Sequence, residues 1–310
     1  MTLIQLEYVL ALDALKHFAK AAAQCHITQP SLSMQVKKLE EELGVQIFIR
    51  TNPVTTTETG QIVIDQAKKI LSEANVMQQL VYREKNVVAG TLKIGIIPTL
   101  APYLLPQFIQ SFIKQYPHVH VNMQELTTEH IVRQLKNGTL DAGILATPLN
   151  VSELKEVFLF HEEFVAYVSR SDKLFTKKYL LPGDIDVNRM WLLEEGHCLR
   201  SQVMNLCALQ KDASTEKHFD YAAGSLETLK RFVDKNGGIT LLPELATYDM
   251  TKTKRNMLRY FKSPAPVREI SLVTLKTFSK TRLISILKQI IVENMPPQMV
   301  QKKKVAVTKF

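Results

Sequence analysis

Apolar residues recur at helical spacing near the N-terminus and predict short helices that meet at a tight turn. Residues 2–15 and the alanine-rich residues 17–25 form the first part of this pattern. A further helix is predicted from Thr28, a candidate N-cap, to Gly44, a residue type that often ends helices. The apolar face of this helix is predicted to contain Leu32, Val36, Leu39 and Leu43. Short helices around a turn, the last with a polar outer face, are typical of a helix-turn-helix.

The polar face of this last helix is the candidate surface for DNA. Residues 45–60 follow it and predict a short β-ribbon, or wing, in which Arg50 could reach a phosphate or the minor groove. A small helical interaction module is the alternative, because helix-turn-helix patterns also occur by chance. The candidate DNA-binding residues are Thr28, Gln29, Pro30, Ser31, Ser33, Gln35, Lys37 and Arg50.

A long helical pattern runs from Thr59 to about Lys85, with no Pro and with no Gly after Gly60, and ends before Ala89-Gly90. Such a length exceeds that of most globular helices and predicts a linker that pairs with a second copy of the chain. Helix-turn-helix proteins commonly dimerise to read two half-sites, so this expectation agrees with the first.

Beyond residue 90 the pattern alternates between strands and helices, which favours an α/β fold with a mostly parallel sheet. Ligands of open α/β sheets bind near the carboxyl ends of strands, where Thr99, Thr128 and the His197-Cys198 pair are expected. Strands are predicted at residues 91–97, 118–126, 141–145, 164–169, 190–193, 239–243 and 269–275. Helices are predicted at residues 103–116, 129–137, 225–233 and 280–293.

Residues 194–207 place two cysteines nine positions apart, with His197 directly before Cys198 and Arg200 two residues after it. Neighbouring cations favour a thiolate, so Cys198 is the candidate reactive sulfur. A single helix from Cys198 to Cys207 would separate them by about 13 Å along its axis. A disulfide needs Cα atoms within about 7 Å, so it would require a different backbone. Two buried, unreactive cysteines remain an equally open interpretation.

Composition limits the classes of protein. The 310 residues are 45% hydrophobic and 22% charged, as in ordinary soluble proteins. Neither a transmembrane run nor a signal peptide is recognised, so we expect a cytoplasmic protein, in which three cysteines form no disulfide framework. The net charge is +9, yet residues 1–88 hold nine basic and nine acidic side chains. The argument for DNA binding therefore comes from local pattern rather than from overall charge.

The chain resembles the LysR-type transcriptional regulators over nearly its whole length. The first 60 residues carry the motifs Phe18-x-x-Ala21-Ala22, Thr28-Gln29-Pro30-Ser31-Leu32-Ser33, Lys38-Leu39-Glu40 and Phe48-x-Arg50. The later part is similar to the peroxide-sensing members of that family, through Gly95-x-Ile97-Pro98-Thr99, Pro102-Tyr103-Leu104-Leu105-Pro106, Gly196-His197-Cys198-Leu199-Arg200, Ser225-Leu226-Glu227-Thr228-Leu229 and Gly238-Ile239-Thr240-Leu241-Leu242-Pro243.

The resemblance implies a winged helix-turn-helix (residues 1–60), a linker and dimerisation helix (61–89) and a periplasmic-binding-protein-like regulatory domain (90–310). Its lobe I would comprise about 90–161 and 268–295, and its lobe II about 162–267. The resemblance also implies a tetrameric activator that binds promoter DNA, contacts RNA polymerase and contains no cofactor or metal.

In that family pattern, peroxide oxidises the cysteine that matches Cys198, and the cysteine that matches Cys207 then forms a disulfide with it. His197 is implied as a catalytic neighbour, and Thr99, Thr128 and Arg268 as the peroxide pocket. Ser201 departs from the pattern, where an acidic residue is associated with this loop, and the Lys-rich residues after Pro297 have no counterpart. Two other functions stay open: a regulator that responds to a small metabolite between its lobes, and a thiol peroxidase that uses the same cysteines.

Overall fold

A computed structural model describes residues 1–84, 87–186, 189–206, 221–278 and 280–300. The N-terminal module is a three-helix unit followed by a two-stranded antiparallel wing, in which Phe48 pairs with Thr56. Its helices are α1 (Leu3–Leu15), α2 (Phe18–Gln24) and α3 (Gln29–Leu43), and its strands are β1 (Phe48–Ile49) and β2 (Thr55–Thr56).

Helix α3 begins and ends where the sequence indicates. The Thr28 hydroxyl caps it by accepting a hydrogen bond from the Ser31 amide at 3.4 Å. Gly44 ends it in the left-handed region at φ 67°, a conformation that glycine adopts without steric cost. Leu32, Val36 and Leu39 are buried in the core of the module, but Leu43 is 39% exposed. Leu43 lies on the last turn of α3, beyond the part of the helix that the core covers.

Helix α4 (Glu58–Glu84) follows the wing and is 27 residues long. Ile64 and Ala67 pack into the N-terminal core, which joins this helix to the module before it. Val63, Ile70 and Leu71 are partly buried against the same core. Four other apolar side chains of the helix are exposed, namely Ile62, Met77, Leu80 and Val81. The exposed apolar cluster Met77, Leu80 and Val81 leaves a face near the end of the helix available for a second chain.

The remaining strands form one seven-stranded mixed sheet in the order β4-β3-β5-β9-β6-β7, with β8 paired to β6. Strand β3 pairs in parallel with β4 and β5, whereas β5–β9, β6–β9, β6–β7 and β6–β8 are antiparallel. The expectation of a mostly parallel sheet was wrong, because two long strands return through the sheet in the opposite direction. The strands are β3 (Gly90–Ile96), β4 (Val119–Glu125), β5 (Ala142–Thr147), β6 (Leu154–Val168), β7 (Ile239–Pro243), β8 (Leu258–Tyr260) and β9 (Val267–Leu275).

Helices cover this sheet and divide its apolar side chains between two cores. We call the core around β3, β4 and β5 the lobe I core, and the core around β7, β8 and the end of β6 the lobe II core. Strand β6 contributes to both, with Phe160 in the first and Phe164 in the second. The helices are α5 (Ala101–Gln115), α6 (Thr128–Lys136), α7 (Cys198–Leu206), α8 (Leu226–Asn236), α9 (Lys252–Arg255), α10 (Thr281–Glu293) and α11 (Pro297–Val300).

One predicted strand is absent from the described sheet. Residues 190–193 form only two isolated bridges, from Met190 to Ile239 and from Leu193 to Ala223. The apolar run is explained by burial of Met190 and Leu193 in the lobe II core rather than by a continuous ladder. Within the described ranges, none of the helices has the length and apolar character needed to cross a membrane.

Candidate functional site

Cys198 lies at the junction of the two lobes. It is the first residue of α7 and packs, half-buried, against the lobe I core. Leu199 and Val203 of the same helix belong instead to the lobe II core. Gly196 allows the loop before α7 to turn, since its φ of +96° is a conformation that L side chains rarely adopt. One short helix therefore carries the thiol from lobe II to a position against lobe I.

Thr128 approaches this thiol from lobe I. It is the first residue of α6, which begins directly after β4 and is capped by Thr127. The Thr128 hydroxyl oxygen is buried and makes no hydrogen bond of good geometry within the described chain. It nevertheless acts on the Cys198 sulfur as a donor that lowers the pKa of the thiol. The backbone amides of Cys198 and Leu199 at the start of α7 also lower this pKa, as expected at the N-terminus of a helix.

Arg268 supplies the positive charge of the site from strand β9. It is completely buried, and its Nε and Nη2 donate to the equally buried Glu162 Oε2 at 2.9 and 2.8 Å. Its Nη1 donates to Thr99 Oγ1 at 3.0 Å, and Thr99 is only 3% exposed. The second oxygen of Glu162 accepts the Leu245 amide at 2.8 Å. The guanidinium and carboxylate are therefore a fully hydrogen-bonded buried pair, the condition under which such a pair is tolerated.

Burial dominates the electrostatics of Cys198 and raises the pKa of its thiol above the ordinary value. Arg268 makes the largest opposing contribution, followed by the Thr128 hydroxyl and the backbone amides at the start of α7. The sequence suggested that Arg200 stabilises the Cys198 thiolate. In the structure, its Nη1 instead donates to the Leu193 carbonyl at 2.7 Å. The cation that favours the thiolate is distant in sequence, and the resting thiol is mostly protonated at neutral pH.

His197 is 8% exposed, and its Nε2 lies 3.6 Å from Glu194 Oε1. Its carbonyl accepts the Arg200 amide in the first turn of α7. The largest stabilising effects on the Cys198 thiolate come from Arg268, Thr128 and backbone amides rather than from this imidazole. A direct proton-transfer role for His197 stays a prediction.

Of the other two cysteines, Cys207 lies outside the described residues. Cys25 ends α2 and packs half-buried against the N-terminal core. Burial is the main cause that raises the pKa of the Cys25 thiol. Cys25 therefore has the surroundings of a packing residue.

The candidate DNA-binding side chains lie at the start and on the outer face of α3 and on the wing. Lys37 is exposed and lies 3.5 Å from Glu41, and the Arg50 guanidinium lies 5.6 Å from the centre of the Phe18 ring. Gln35 is less available than expected, because its Oε1 accepts a hydrogen bond from Gln5 Nε2 at 3.2 Å. Thr28, Gln29 and Pro30 are exposed, and Ser31 and Ser33 are partly exposed.

Glu162 is a site residue that sequence reasoning missed. It lies in the run Glu162-Glu163, which resembles an exposed strand segment, yet Glu162 is fully buried beneath Arg268. Only the pairing of β6 with β9, which places Glu162 opposite Arg268, reveals the partnership. No group of three or more His, Cys, Asp or Glu side chains in the described part of the chain could hold a metal ion.

Comparisons with known proteins identify both parts of the chain. Residues 3–61 match the family of bacterial regulatory helix-turn-helix proteins of the lysR type, and residues 85–296 match the LysR substrate binding domain. The DNA-binding transcriptional dual regulator OxyR of Escherichia coli strain K12 is 37% identical over 276 residues, 88% of this chain and 89% of that protein.

Solved structures extend this similarity to the fold. Full-length Pseudomonas aeruginosa OxyR with a cysteine-to-aspartate substitution superposes with a TM-score of 0.75 at 32% identity, covering 94% of this chain and 98% of that one. A Corynebacterium glutamicum OxyR cysteine-to-serine mutant with hydrogen peroxide bound has a TM-score of 0.59 at 29% identity, covering 94% and 92%. The chain belongs to the LysR family of bacterial helix-turn-helix regulators.

Proposed function

We propose that this chain is a DNA-binding transcriptional regulator that senses hydrogen peroxide through Cys198. The observation that carries the proposal is the position of this thiol, on a lobe II helix but against the Thr128 hydroxyl of lobe I and in the field of Arg268. Similarity to the OxyR proteins of Escherichia coli and Corynebacterium glutamicum supports the choice of signal.

The chemistry begins with the thiolate form of Cys198, which attacks one peroxide oxygen. A sulfur–oxygen bond forms, the oxygen–oxygen bond breaks, and the departing hydroxide takes up a proton as water, which leaves a sulfenic acid. The Thr128 hydroxyl and the hydrogen-bonded pair of Thr99 and Arg268 supply donors that orient the two oxygens and stabilise the leaving hydroxide. The structure thus holds a mostly protonated thiol beside the groups that favour its reactive form.

The sulfenic acid then condenses with the thiol of Cys207, with loss of water and formation of a disulfide. Helix α7 opposes this step, since Cys198 and Leu206 are its first residue and its last described residue and lie about 12 Å apart along the axis. Leu206 and Cys207 are neighbours in sequence, with Cα atoms about 3.8 Å apart. A disulfide needs Cα atoms within about 7 Å, so α7 must unwind when it forms. Oxidation of one sulfur is thereby converted into a backbone change.

The proposed output is a change in DNA binding. Residues 1–60 would read DNA through Gln29, Ser31, Ser33 and Gln35, with Lys37 and Arg50 on the phosphate backbone. Residues 61–89 would join two chains through the exposed apolar side chains of α4, and further contacts within residues 90–310 would complete a tetramer. In the oxidised state the regulator would engage RNA polymerase as an activator. The similarity to OxyR supports this assignment and gives no reason to propose steady catalytic turnover.

The experiment is mass spectrometry of the reduced full-length protein after one equivalent of hydrogen peroxide, with remaining thiols alkylated. Trypsin cleaves after Arg200, so Cys198 and Cys207 appear in the separate peptides 190–200 and 201–211. We expect these peptides joined by a disulfide that a dithiol reverses, and changed DNA footprints that the Cys198→Ser variant does not show.

The Cys25→Ser variant is the control and should respond normally. Free thiols at both positions after peroxide treatment, or a full peroxide response in Cys198→Ser, would contradict the proposal. That outcome would favour a small metabolite between the lobes as the signal.

A further inference from the structure

We propose that Tyr103, Glu227 and Lys230 form an interlobe latch that positions Cys198 against lobe I for reaction with peroxide. This inference rests on the proposed function and adds positioning residues to it. Tyr103 is on α5, and its side chain packs against both the lobe I core and the lobe II core. Glu227 and Lys230 are on α8, which buries its apolar face in lobe II.

Three interactions hold the latch together. The Tyr103 hydroxyl donates to Glu227 Oε1 at 3.0 Å. The Lys230 ammonium forms an ion pair with the same carboxylate and lies 5.6 Å from the centre of the Tyr103 ring. The Lys230 side chain is only 8% exposed, so this nearly buried cation depends on both partners. One side chain of lobe I and two of lobe II therefore form a single polar unit.

The latch is connected to the thiol through α8. Leu229, between the two latch residues of α8, lines the same small pocket as Leu199 and Val203 of α7. A fixed α8 therefore fixes α7, and with it the position of Cys198. Tyr103 is also close enough to Glu162 and Arg268 for both to act electrostatically on its hydroxyl. The contact thus lies beside the polar cluster that Cys198 must meet.

The latch keeps its hydrogen bond over the physiological pH range. Burial, followed by the neighbouring Glu227 carboxylate, raises the pKa of Tyr103, so its hydroxyl remains a donor. Burial of Glu227 opposes its ionisation, but Lys230 and Tyr103 outweigh this and lower the pKa of Glu227, so its carboxylate remains an acceptor. Acidification or alkalinisation by one or two pH units would not release it.

The test is Tyr103→Phe, which keeps the ring and removes only the hydroxyl. Release of the latch exposes the half-buried Cys198 further to water, so the alkylation of peptide 190–200 by iodoacetamide should accelerate. Burial is the largest cause that raises the pKa of this thiol, so the pH profile of alkylation should shift toward lower pH. The rate constant for hydrogen peroxide should fall, because the thiol leaves Thr128 and Arg268. Each change should be about two- to tenfold, the equivalent of one hydrogen bond. Opposite changes in the two rates distinguish positioning from a general loss of reactivity.

Tyr167→Phe is the matched control, because Tyr167 also donates to a carboxylate of α8, Asp234 at 2.5 Å, but belongs to the lobe II core. It should leave both Cys198 rates unchanged at the same temperature. Glu227→Gln retains an acceptor for Tyr103, so it should change the rates less than Glu227→Ala does.

Unchanged rates in Tyr103→Phe, rates that change in the same direction, or equal effects in Tyr167→Phe would overturn the latch. The alkylation rate tests the latch even if the unmodified protein fails to react with peroxide. Faster alkylation in Tyr103→Phe together with inert Cys198 in the unmodified protein would retain the latch and reject the peroxide sensor.

Discussion

Helices α3 and α7 both carry functional side chains, but different interactions hold them in place. Helix α3 has 15 residues, caps at both ends and the buried apolar anchors Leu32, Val36 and Leu39 within one core. The described part of helix α7, Cys198–Leu206, has nine residues. Its first residue packs against the lobe I core, whereas Leu199 and Val203 lie in the lobe II core. A helix that is capped and held within one core suits a DNA-binding surface that keeps its shape. A helix that contacts two lobes suits a switch.

The buried side of α7 also differs in chemistry from that of α3. Its buried residues are Leu199, Val203 and the amide Gln202, which is completely buried. A buried amide must exchange its hydrogen bonds when its helix moves, whereas apolar anchors pack with little directional constraint. The α7 interface therefore favours discrete arrangements over continuous motion.

The largest effect is expected from Arg268→Met, which changes the surroundings of α7 without touching α3. Breaking a fully buried ion pair leaves Glu162 as an unpaired buried charge and should destabilise the protein by about 3–5 kcal/mol. Arg268 lowers the pKa of Cys198, so its removal should raise that pKa further. Urea denaturation and the pH profile of Cys198 alkylation, which should shift to higher pH, measure the two effects.

The double variant Arg268→Met with Glu162→Gln is the control for that prediction. It removes both charges, so it should recover part of the lost stability while the alkylation profile stays at higher pH. A single variant as stable as the unmodified protein would show that the pair is not buried as described.

Removal of the capping hydroxyl from α3 or from α6 should have an effect of intermediate size. Thr28 caps α3 and Thr127 caps α6, each by accepting an amide hydrogen bond at 3.4 Å. Each alanine variant should cost about 1 kcal/mol. Thr28→Ala should weaken DNA binding and leave Cys198 alkylation unchanged, whereas Thr127→Ala should alter alkylation and leave binding by the reduced protein unchanged. Binding assays and peptide mass spectrometry would measure both, and reversed effects would contradict the separation of roles.

The smallest effect is expected from Lys37→Ala on the outer face of α3. Its ion pair with Glu41 is exposed, so stability should hardly change. Loss of one phosphate contact should weaken binding to all DNA sequences alike and reduce the salt slope by about one. Binding titrations at several salt concentrations measure this slope, with Lys155→Ala in lobe I as the control. A change in sequence preference alone would show that Lys37 contacts a base.

Local signals in the sequence predicted α3 well and the surroundings of α7 poorly. Thr28 and Gly44 determine the ends of α3 because capping depends on a few neighbouring residues. The antiparallel orientation of β6 and β9 depends on the position at which the chain re-enters the sheet. The amino-acid composition of a strand does not determine that position. The pairing of Glu162 with Arg268 follows from that orientation. Arg200 was the nearest cation in sequence, but its guanidinium is bound to the Leu193 carbonyl.

The most direct test of the switch is hydrogen–deuterium exchange of the full-length protein before and after conversion to the Cys198–Cys207 disulfide. Among the described residues of α7, amides 202–206 are the ones that the helix can protect, because the first four amides of a helix have no partner within it. We predict protection of these amides in the reduced protein, loss of that protection after oxidation, and unchanged protection in α3. Equal protection of α7 in both states would contradict the account, since a disulfide would then have formed without the backbone change that links the sulfur to DNA.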